Sequence, residues 1–150
     1  MHLNKKELLK KEIFHLDDYQ SVVDFLKAQM TSKTCILLNG ELAAGKTTFV
    51  QIFCQTYSLK NILSPTFSLQ QIYSNLEICI NHFDLYRLNS PDDVETSGLW
   101  DVLSEDKGLV FIEWPSRISM LDLPLSWKLL EIHFDKFDDG KRVVTVSCFN

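Results

Sequence analysis

The chain has 150 residues, of which 45% are hydrophobic and 23% are charged, so its composition is that of a soluble globular protein with one domain. The formal net charge of −5 argues against nucleic-acid binding by this chain alone, because such proteins usually carry a basic surface. No apolar run approaches the length of a membrane span and no secretory leader is recognisable, so we expect a cytoplasmic protein without membrane association. The four cysteines lack C-x-x-C or metal-ligand spacing and are expected to be reduced packing residues: Cys35, Cys54, Cys79 and Cys148.

The N-terminal part of the chain predicts an extension, a short strand and a helix. Residues 1–12 are expected to form a partly ordered helical extension, and residues 13–16 a short strand. Asp17 or Asp18 then provides an N-cap for a helix that ends near residue 30.

A phosphate-binding sequence joins the next predicted strand to the next predicted helix. A continuous apolar run predicts a buried parallel strand over residues 34–38. A helix over residues 46–57 follows, with an apolar face formed by Phe49, Ile52 and Phe53. Residues 40–47 match the pattern G-x-x-x-x-G-K-[ST] in full. We therefore expect nucleotide contacts from the whole loop and the residue after it: Gly40, Glu41, Leu42, Ala43, Ala44, Gly45, Lys46, Thr47 and Thr48.

Each defining residue of this pattern has a physical task. Gly40 and Gly45 let the backbone bend towards the ligand, so that successive N–H groups point at phosphate oxygens. The N-terminus of the following helix adds partial positive charge at the same place. Lys46 is predicted to reach the β- and γ-phosphates, and the Thr47 hydroxyl to bind Mg²⁺.

The second half of the chain predicts a hairpin, a capped helix and three more strands. Strands over residues 68–74 and 77–85 follow an irregular crossing over residues 60–67. Ser90 is the predicted N-cap of a helix that ends at Gly98. The remaining strands are expected over residues 108–114, 127–135 and 142–149, the last two joined by a turn around residues 138–140.

These elements predict an α/β fold, namely a single P-loop NTPase domain over residues 1–150. Its sheet is expected to be mixed and mainly parallel, flanked by helices and carrying antiparallel hairpins at its edges. Val94, Leu99 and Trp100 are expected to cover the sheet, with docking of a partner as the alternative.

An acidic residue follows the apolar run that ends at Ile112. In a parallel sheet the carboxyl ends of the strands face the nucleotide, so Glu113 is predicted to hold Mg²⁺ or a water bound to it. The alternative is an acidic residue that simply leaves the strand into solvent. Trp114 either covers the nucleotide or has a packing role.

A second acidic residue ends another predicted strand, in the segment from His82 to Leu88. Asp84 shares one face of that strand with His82, and it can orient or deprotonate the attacking water or bind a metal-held water. Arg87 can neutralise charge on the transferred phosphoryl group, but a structural ion pair between Asp84 and Arg87 is the alternative. His82 is interpreted as a satisfied buried histidine rather than a proton carrier.

The segment Ser64-Pro65-Thr66-Phe67 offers one further candidate. Pro65 stiffens the loop, and the Thr66 hydroxyl is placed as in a switch segment that senses the γ-phosphate through Mg²⁺. The tetrapeptide alone fits an ordinary loop equally well.

Taken in order, four motifs resemble the bacterial TsaE (formerly YjeE) family of small ATPases of tRNA threonylcarbamoyladenosine synthesis. The resemblance covers about residues 13 to 149, and the phosphate loop alone is generic. The motifs are residues 40–49, Ser64-Pro-Thr-Phe67, His82-Phe-Asp-Leu-Tyr-Arg-Leu88 and Glu113-Trp114.

The resemblance implies a function and assigns site residues. It implies ATP and Mg²⁺ as cofactors, with Lys46 and Thr47 on the phosphates and the metal, Glu113 as a metal ligand and Asp84 as a residue needed for hydrolysis. It also implies that Thr66 belongs to the nucleotide-sensing loop and that Trp114 is a neighbour of the nucleotide. The implied activity is slow ATP hydrolysis coupled to a complex of TsaB and TsaD, with tRNA contacted only indirectly.

One residue departs from the pattern of the family. Ala43 stands where the family commonly has glycine, and we expect modest tuning of the loop if the φ angle of Ala43 is negative.

Two other functions use the same loop. A small-molecule kinase needs an acceptor pocket and usually a lid that carries arginines, yet the three arginines (Arg87, Arg117 and Arg142) lie in no long insertion. A nucleotide-dependent binding module without meaningful turnover shares every binding residue, and differs only in whether Asp84 and Glu113 support chemistry.

Overall fold

Seven strands form one sheet in the order β1-β7-β6-β2-β5-β4-β3. The structure is a computed structural model that describes residues 3–59 and 69–150. The strands are β1 (Lys5–Ile13), β2 (Lys33–Gly40), β3 (Gln70–Ser74), β4 (Cys79–Asp84), β5 (Gly108–Glu113), β6 (Lys128–Lys136) and β7 (Arg142–Phe149). The helices are α1 (Tyr19–Gln29), α2 (Lys46–Gln55), α3 (Pro91–Thr96) and α4 (Leu99–Leu103). Three short 3-10 helices cover Leu16–Asp18, Pro115–Arg117 and Met120–Asp122.

The centre of the sheet is parallel and its edges are antiparallel. Strand β2 pairs in parallel with β5 and β6, and β5 pairs in parallel with β4. The outer pairings of β1 with β7, β7 with β6 and β3 with β4 are antiparallel. The predicted mixed sheet with edge hairpins is therefore confirmed. The parallel centre matters for function because it brings the carboxyl ends of β2, β4 and β5 to the same edge.

Two apolar layers pack on the two faces of the sheet. Helices α1 and α2 cover one face through buried side chains that include Val22, Leu26, Phe49 and Phe53. Helices α3 and α4 cover the other face, where Val94 and Leu99 are buried and Trp100 packs against them. The prediction that these three residues cover the sheet is confirmed, and none of the helices in the described ranges is both long and apolar enough to cross a membrane.

The N-terminal extension is a strand, so the prediction of a helix over residues 1–12 is wrong. Strand β1 pairs with β7 from Lys5 opposite Phe149 to Ile13 opposite Arg142. The unpaired edge of β7 supplies backbone partners that local helix propensity cannot outweigh. The strand predicted over residues 13–16 is also wrong, because β1 ends at Ile13 and a 3-10 helix follows. The predicted crossing over residues 60–67 lies outside the described residues.

The capping prediction for the third helix is confirmed in detail. The backbone N–H of Asp93 donates to Ser90 Oγ (3.3 Å), and the backbone N–H of Asn89 donates to the Asp93 carboxylate (3.0 Å). The helix ends at Thr96, and Gly98 adopts a left-handed φ of +91° before α4 begins. This second short helix was not predicted.

All four cysteines are free, as predicted. Burial raises the pKa of Cys35 and of Cys54 to about 12, which keeps both thiols protonated and unreactive near neutral pH. Cys79, by contrast, is exposed on β4.

Candidate active site

The phosphate loop connects the end of β2 to the start of α2, and two of its positions require glycine. Gly40 has a φ of +154°, and a Cβ atom there would lie 2.8 Å from the backbone oxygen of Phe134 on the adjacent strand. Gly45 has a left-handed φ of +112°, and a Cβ atom there would lie 2.9 Å from the hydroxyl of Tyr19 on α1. The loop is therefore held closely between β6 and α1, and these contacts leave no room for side chains at either glycine.

Ala43 adopts a left-handed φ of +62°, so the condition of a negative φ, on which the expected modest tuning depended, is not met. Ala43 is the third residue of a tight turn that is closed by the backbone N–H of Ala44 donating to the Glu41 oxygen (3.2 Å). A left-handed residue at this position completes the turn, and a Cβ atom there is strained. The structure thus explains why a glycine suits this position.

We expect Ala43→Gly to raise the melting temperature of the nucleotide-free protein by about 2 °C. Relief of about 1–2 kcal/mol of left-handed strain is partly offset by the greater entropy of an unfolded glycine, about 0.4–1 kcal/mol. Differential scanning calorimetry measures the change. Ala44→Gly is the matched control, because Ala44 is fully buried and its φ is not positive, so this variant should melt lower than the unmodified protein. A lower melting temperature for Ala43→Gly would contradict the strain at this position.

Lys46, the first residue of α2, is only 5% exposed although it carries a charge. Its ammonium group donates to the backbone oxygen of Gly40 (2.7 Å) and lies 3.9 Å from the centroid of the Trp114 ring. Burial lowers the pKa of the Lys46 ammonium, and the carboxylates of Glu113 and Asp84 act in the opposite direction. A buried cation that donates to a neutral backbone oxygen is well prepared to receive an anion.

Trp114 borders the loop and does not merely fill the core. It follows β5 with a left-handed φ of +59°, a conformation that is strained for a bulky residue. The ring contacts the Tyr86 ring, tilted at 47° with a centroid distance of 4.8 Å, and it also contacts the Lys46 ammonium. The structure therefore places Trp114 beside the phosphate loop.

The two acidic candidates lie side by side at the carboxyl edge of the sheet. Asp84 ends β4 and Glu113 ends β5, and the two residues are opposite each other in the parallel register. Glu113 is 3% exposed, so it does not leave the strand into solvent. Asp84 Oδ1 accepts a hydrogen bond from the Tyr86 backbone N–H (3.0 Å). Arg87 is exposed and forms no ion pair with Asp84 in the part of the chain that the structure describes, so that alternative is wrong.

Burial raises the pKa of the Asp84 carboxyl above its usual range. The nearby Glu113 carboxylate adds to this effect, whereas the Tyr86 N–H, His82 and Lys46 oppose it. A carboxylate with a raised pKa is a stronger base than an exposed aspartate. The same desolvation makes the charged form of Asp84 destabilising for the folded protein.

We expect Asp84→Asn to raise the melting temperature at pH 7 in EDTA. The folded protein holds the Asp84 proton more tightly than the unfolded chain, so its stability falls as the pH rises from the unfolded pKa of 3.8 through the raised folded pKa. Removing the charge removes this penalty, and the asparagine oxygen can still accept from the Tyr86 N–H. The difference between variant and parent should shrink as the pH approaches 3.8, and a variant that melts lower at pH 7 would contradict the account.

His82 contacts the site although it was interpreted as an ordinary buried residue. It is fully buried, and its Nε2 lies 2.7 Å from Oε2 of Glu113. Its Nδ1 is buried and lacks a hydrogen-bond partner among residues 3–59 and 69–150, so His82 is buried as predicted but not fully satisfied. A signal was present in the sequence, since His82 precedes Asp84 by two residues and therefore shares its face of the strand.

A pocket of about 390 Å³ opens on the outer side of the loop. Gly45 and Thr48 of the loop and helix α2, together with Tyr19 on α1, line it. Its remaining lining residues are Ile13, Phe14, His15, Leu16, Gly140 and Arg142.

The other predicted site residues are placed at the loop, with one exception. Ala44 is buried, Thr47 is half-buried, and Glu41 and Leu42 are exposed. Thr66 lies outside the described residues. No group of three or more His, Cys, Asp or Glu side chains within the described ranges is arranged to hold a metal by itself.

The glycine-rich loop joins a central parallel strand to a helix, and acidic residues end two other parallel strands at the same edge of the sheet. This arrangement defines an α/β protein with a phosphate-loop domain. Comparison with known families narrows this class. The family model described as "Threonylcarbamoyl adenosine biosynthesis protein TsaE" matches residues 13–144. The chain belongs to the TsaE family, whose members take part in tRNA threonylcarbamoyladenosine biosynthesis.

Individual relatives agree with this assignment over most of their length. The TsaE protein of Rickettsia bellii is 33% identical over 147 residues, which cover 97% of this chain and 96% of the relative. The Aquifex aeolicus protein is 31% identical over 144 residues, covering 93% and 97%. The crystal structure of Bacillus subtilis YdiB has the same fold, with a TM-score of 0.66, 22% identity and coverage of 99% of this chain and 88% of that chain.

Proposed function

We propose that this protein binds Mg-ATP at residues 40–48 and hydrolyses it slowly in support of tRNA threonylcarbamoyladenosine formation. The observation that carries the proposal is the position of the buried Lys46 ammonium at the phosphate loop, under the electrostatic influence of Asp84 and Glu113. Membership of the TsaE family supports the pathway.

The loop provides the proposed phosphate site. The N-terminus of the ten-residue helix α2 directs backbone N–H groups and partial positive charge at the loop. Lys46 can exchange its bond to the Gly40 oxygen for a stronger one to a phosphate oxygen. The pocket beside Thr48 and Tyr19 is the proposed place for the base and ribose, since it adjoins the loop.

The side chains fit a magnesium ion bound with the phosphates. Thr47 and Glu113 offer a hydroxyl and a carboxylate, which are the hard oxygen ligands that Mg²⁺ prefers. Oε2 of Glu113 is occupied by His82, whereas Oε1 accepts no hydrogen bond from the described parts of the chain. When bound, the ion would neutralise charge on the phosphates and hold them in place.

Asp84 is the proposed catalytic base. Its raised pKa suits it to accept a proton from the attacking water, and the Tyr86 N–H fixes the carboxylate. Trp114 is proposed to border the bound nucleotide, and Thr66 to sense the γ-phosphate. Arg87, which is exposed three residues after Asp84, is proposed to neutralise charge on the transferred phosphoryl group.

The proposed partners are the TsaB and TsaD proteins, with tRNA contacted only indirectly. The curated relatives are named as tRNA threonylcarbamoyladenosine biosynthesis proteins, which supports a place in that pathway and in the cytoplasm. The net charge of −5 fits a chain that leaves tRNA binding to other proteins.

Calorimetric titration with ATP, in Mg²⁺ and in EDTA, tests the binding part of the proposal. We expect ATP binding that strengthens when Mg²⁺ is present. Product analysis then separates the three activities: free phosphate supports an ATPase, a phosphorylated acceptor supports a kinase, and unchanged ATP supports a binding module. An absence of ATP binding under both conditions would overturn the proposed function.

A further inference from the structure

His82 is a polar residue in an apolar layer beneath the site. Its ring packs between Tyr73 and Phe111, with centroid distances of 6.2 and 6.4 Å, and its side chain is 0% exposed. Phe111 is opposite His82 in the parallel register of β4 and β5. Placing an imidazole there carries a desolvation cost that an apolar side chain would avoid.

One ring nitrogen of His82 forms a hydrogen bond with Glu113. The distance from Nε2 to Oε2 is 2.7 Å, and the Glu113 side chain is 4% exposed. Because an ionised carboxylate can only accept, the hydrogen of this bond lies on Nε2, which donates. Nδ1 remains buried without a hydrogen-bond partner in the ranges that the structure describes. If His82 served packing alone, the unsatisfied Nδ1 would destabilise the folded protein and nothing would offset this cost.

We propose that His82 is a positioning residue whose Nε2–H holds the Glu113 carboxylate in one orientation and leaves Oε1 to bind Mg²⁺. This inference rests on the proposed function. Carboxylates that bind metals are commonly fixed by such a hydrogen bond, and its loss lowers metal affinity about 10- to 100-fold.

The position of Lys46 makes this restraint important. The Glu113 carboxylate raises the pKa of the Lys46 ammonium, so the two opposite charges attract each other. This attraction would draw a freely rotating carboxylate towards the ammonium. An ion pair formed in this way would occupy the Glu113 carboxylate, which is the proposed metal ligand, and the Lys46 ammonium, which is the proposed phosphate ligand. The bond from His82 opposes it by holding Oε2 on the side of β4.

Paired variants of His82 test the proposal. His82→Phe keeps a buried ring but removes the donor, whereas His82→Gln keeps an N–H donor near the position of Nε2. Calorimetry measures the ATP affinity of each in EDTA and across a Mg²⁺ titration, which requires no turnover. We expect His82→Phe to need about 10-fold or more Mg²⁺ for half-maximal enhancement of ATP binding, with its affinity in EDTA little changed. His82→Gln should restore most of the magnesium response.

Phe111→Leu is the matched control, because it removes a ring that packs on His82 without removing a hydrogen bond. This variant should lower the melting temperature and leave the magnesium response unchanged. Unchanged magnesium dependence in both His82 variants would overturn the positioning role while leaving the proposed function intact. If the unmodified protein bound ATP without any response to Mg²⁺, both proposals would fail. Should His82→Phe not fold, His82→Met takes its place as a second buried side chain without a donor. A weaker magnesium response in His82→Met supports the role, and a parental response contradicts it.

Discussion

Lys46→Ala is expected to weaken ATP binding by about 30- to 150-fold, the equivalent of one charge-assisted hydrogen bond of about 2–3 kcal/mol. The ammonium is buried at the loop, and its present acceptor is the uncharged Gly40 oxygen. A phosphate oxygen is a far stronger acceptor, so most of the interaction is gained when nucleotide binds. Calorimetric titration of ATP measures the loss.

Lys33→Ala is the matched control for this change. Lys33 is the first residue of β2, the same strand that ends at the loop, so the variant removes an equal charge from the opposite end of the strand. It should bind ATP as the parent does, because the sites are separated by the length of β2. Parental ATP affinity in Lys46→Ala would contradict the phosphate-loop assignment.

Asp84→Ala is expected to keep ATP binding and lower the rate of hydrolysis by about 100-fold or more, as for the loss of a general base. The carboxylate lies beside Glu113 at the edge of the sheet, and burial raises its pKa. Its charge repels the phosphates, so its removal should not weaken nucleotide binding. Phosphate release under saturating Mg-ATP measures the rate, and calorimetry measures the affinity.

Asp101→Ala provides the comparison, since Asp101 is an exposed carboxylate on α4, which packs on the face of the sheet opposite to α2. Its rate and affinity should equal those of the parent. Parental hydrolysis in Asp84→Ala would remove Asp84 from the mechanism, and Glu113 would then be the remaining acidic candidate at that edge.

Local patterns in the sequence were sufficient for much of the fold. The phosphate-loop pattern and the apolar run before it placed β2 and α2, and Ser90 placed the start of α3. These features depend on neighbours within a few residues, so they can be recognised in the chain alone. The general rule that parallel strands end at one edge placed Glu113 at the nucleotide side of the sheet, whereas the pairing of β4 with β5 that brings Asp84 beside it was not predicted.

Features that depend on distant partners could not be predicted in the same way. Strand β1 forms because the edge of β7, more than a hundred residues away, is available for pairing. The left-handed φ of Ala43 depends on a turn whose geometry the residue types do not determine. The bond between His82 and Glu113 joins residues 31 positions apart, and only the register of β4 and β5 brings them together.

The most direct test of the proposed function is phosphate release from Mg-ATP by the purified protein, alone and with added TsaB and TsaD. We predict slow release by the protein alone and a clear increase with the pair, with both activities lost in Asp84→Ala. Appreciable release that does not respond to TsaB and TsaD would contradict the coupling to those partners. No release under either condition would contradict the ATPase itself.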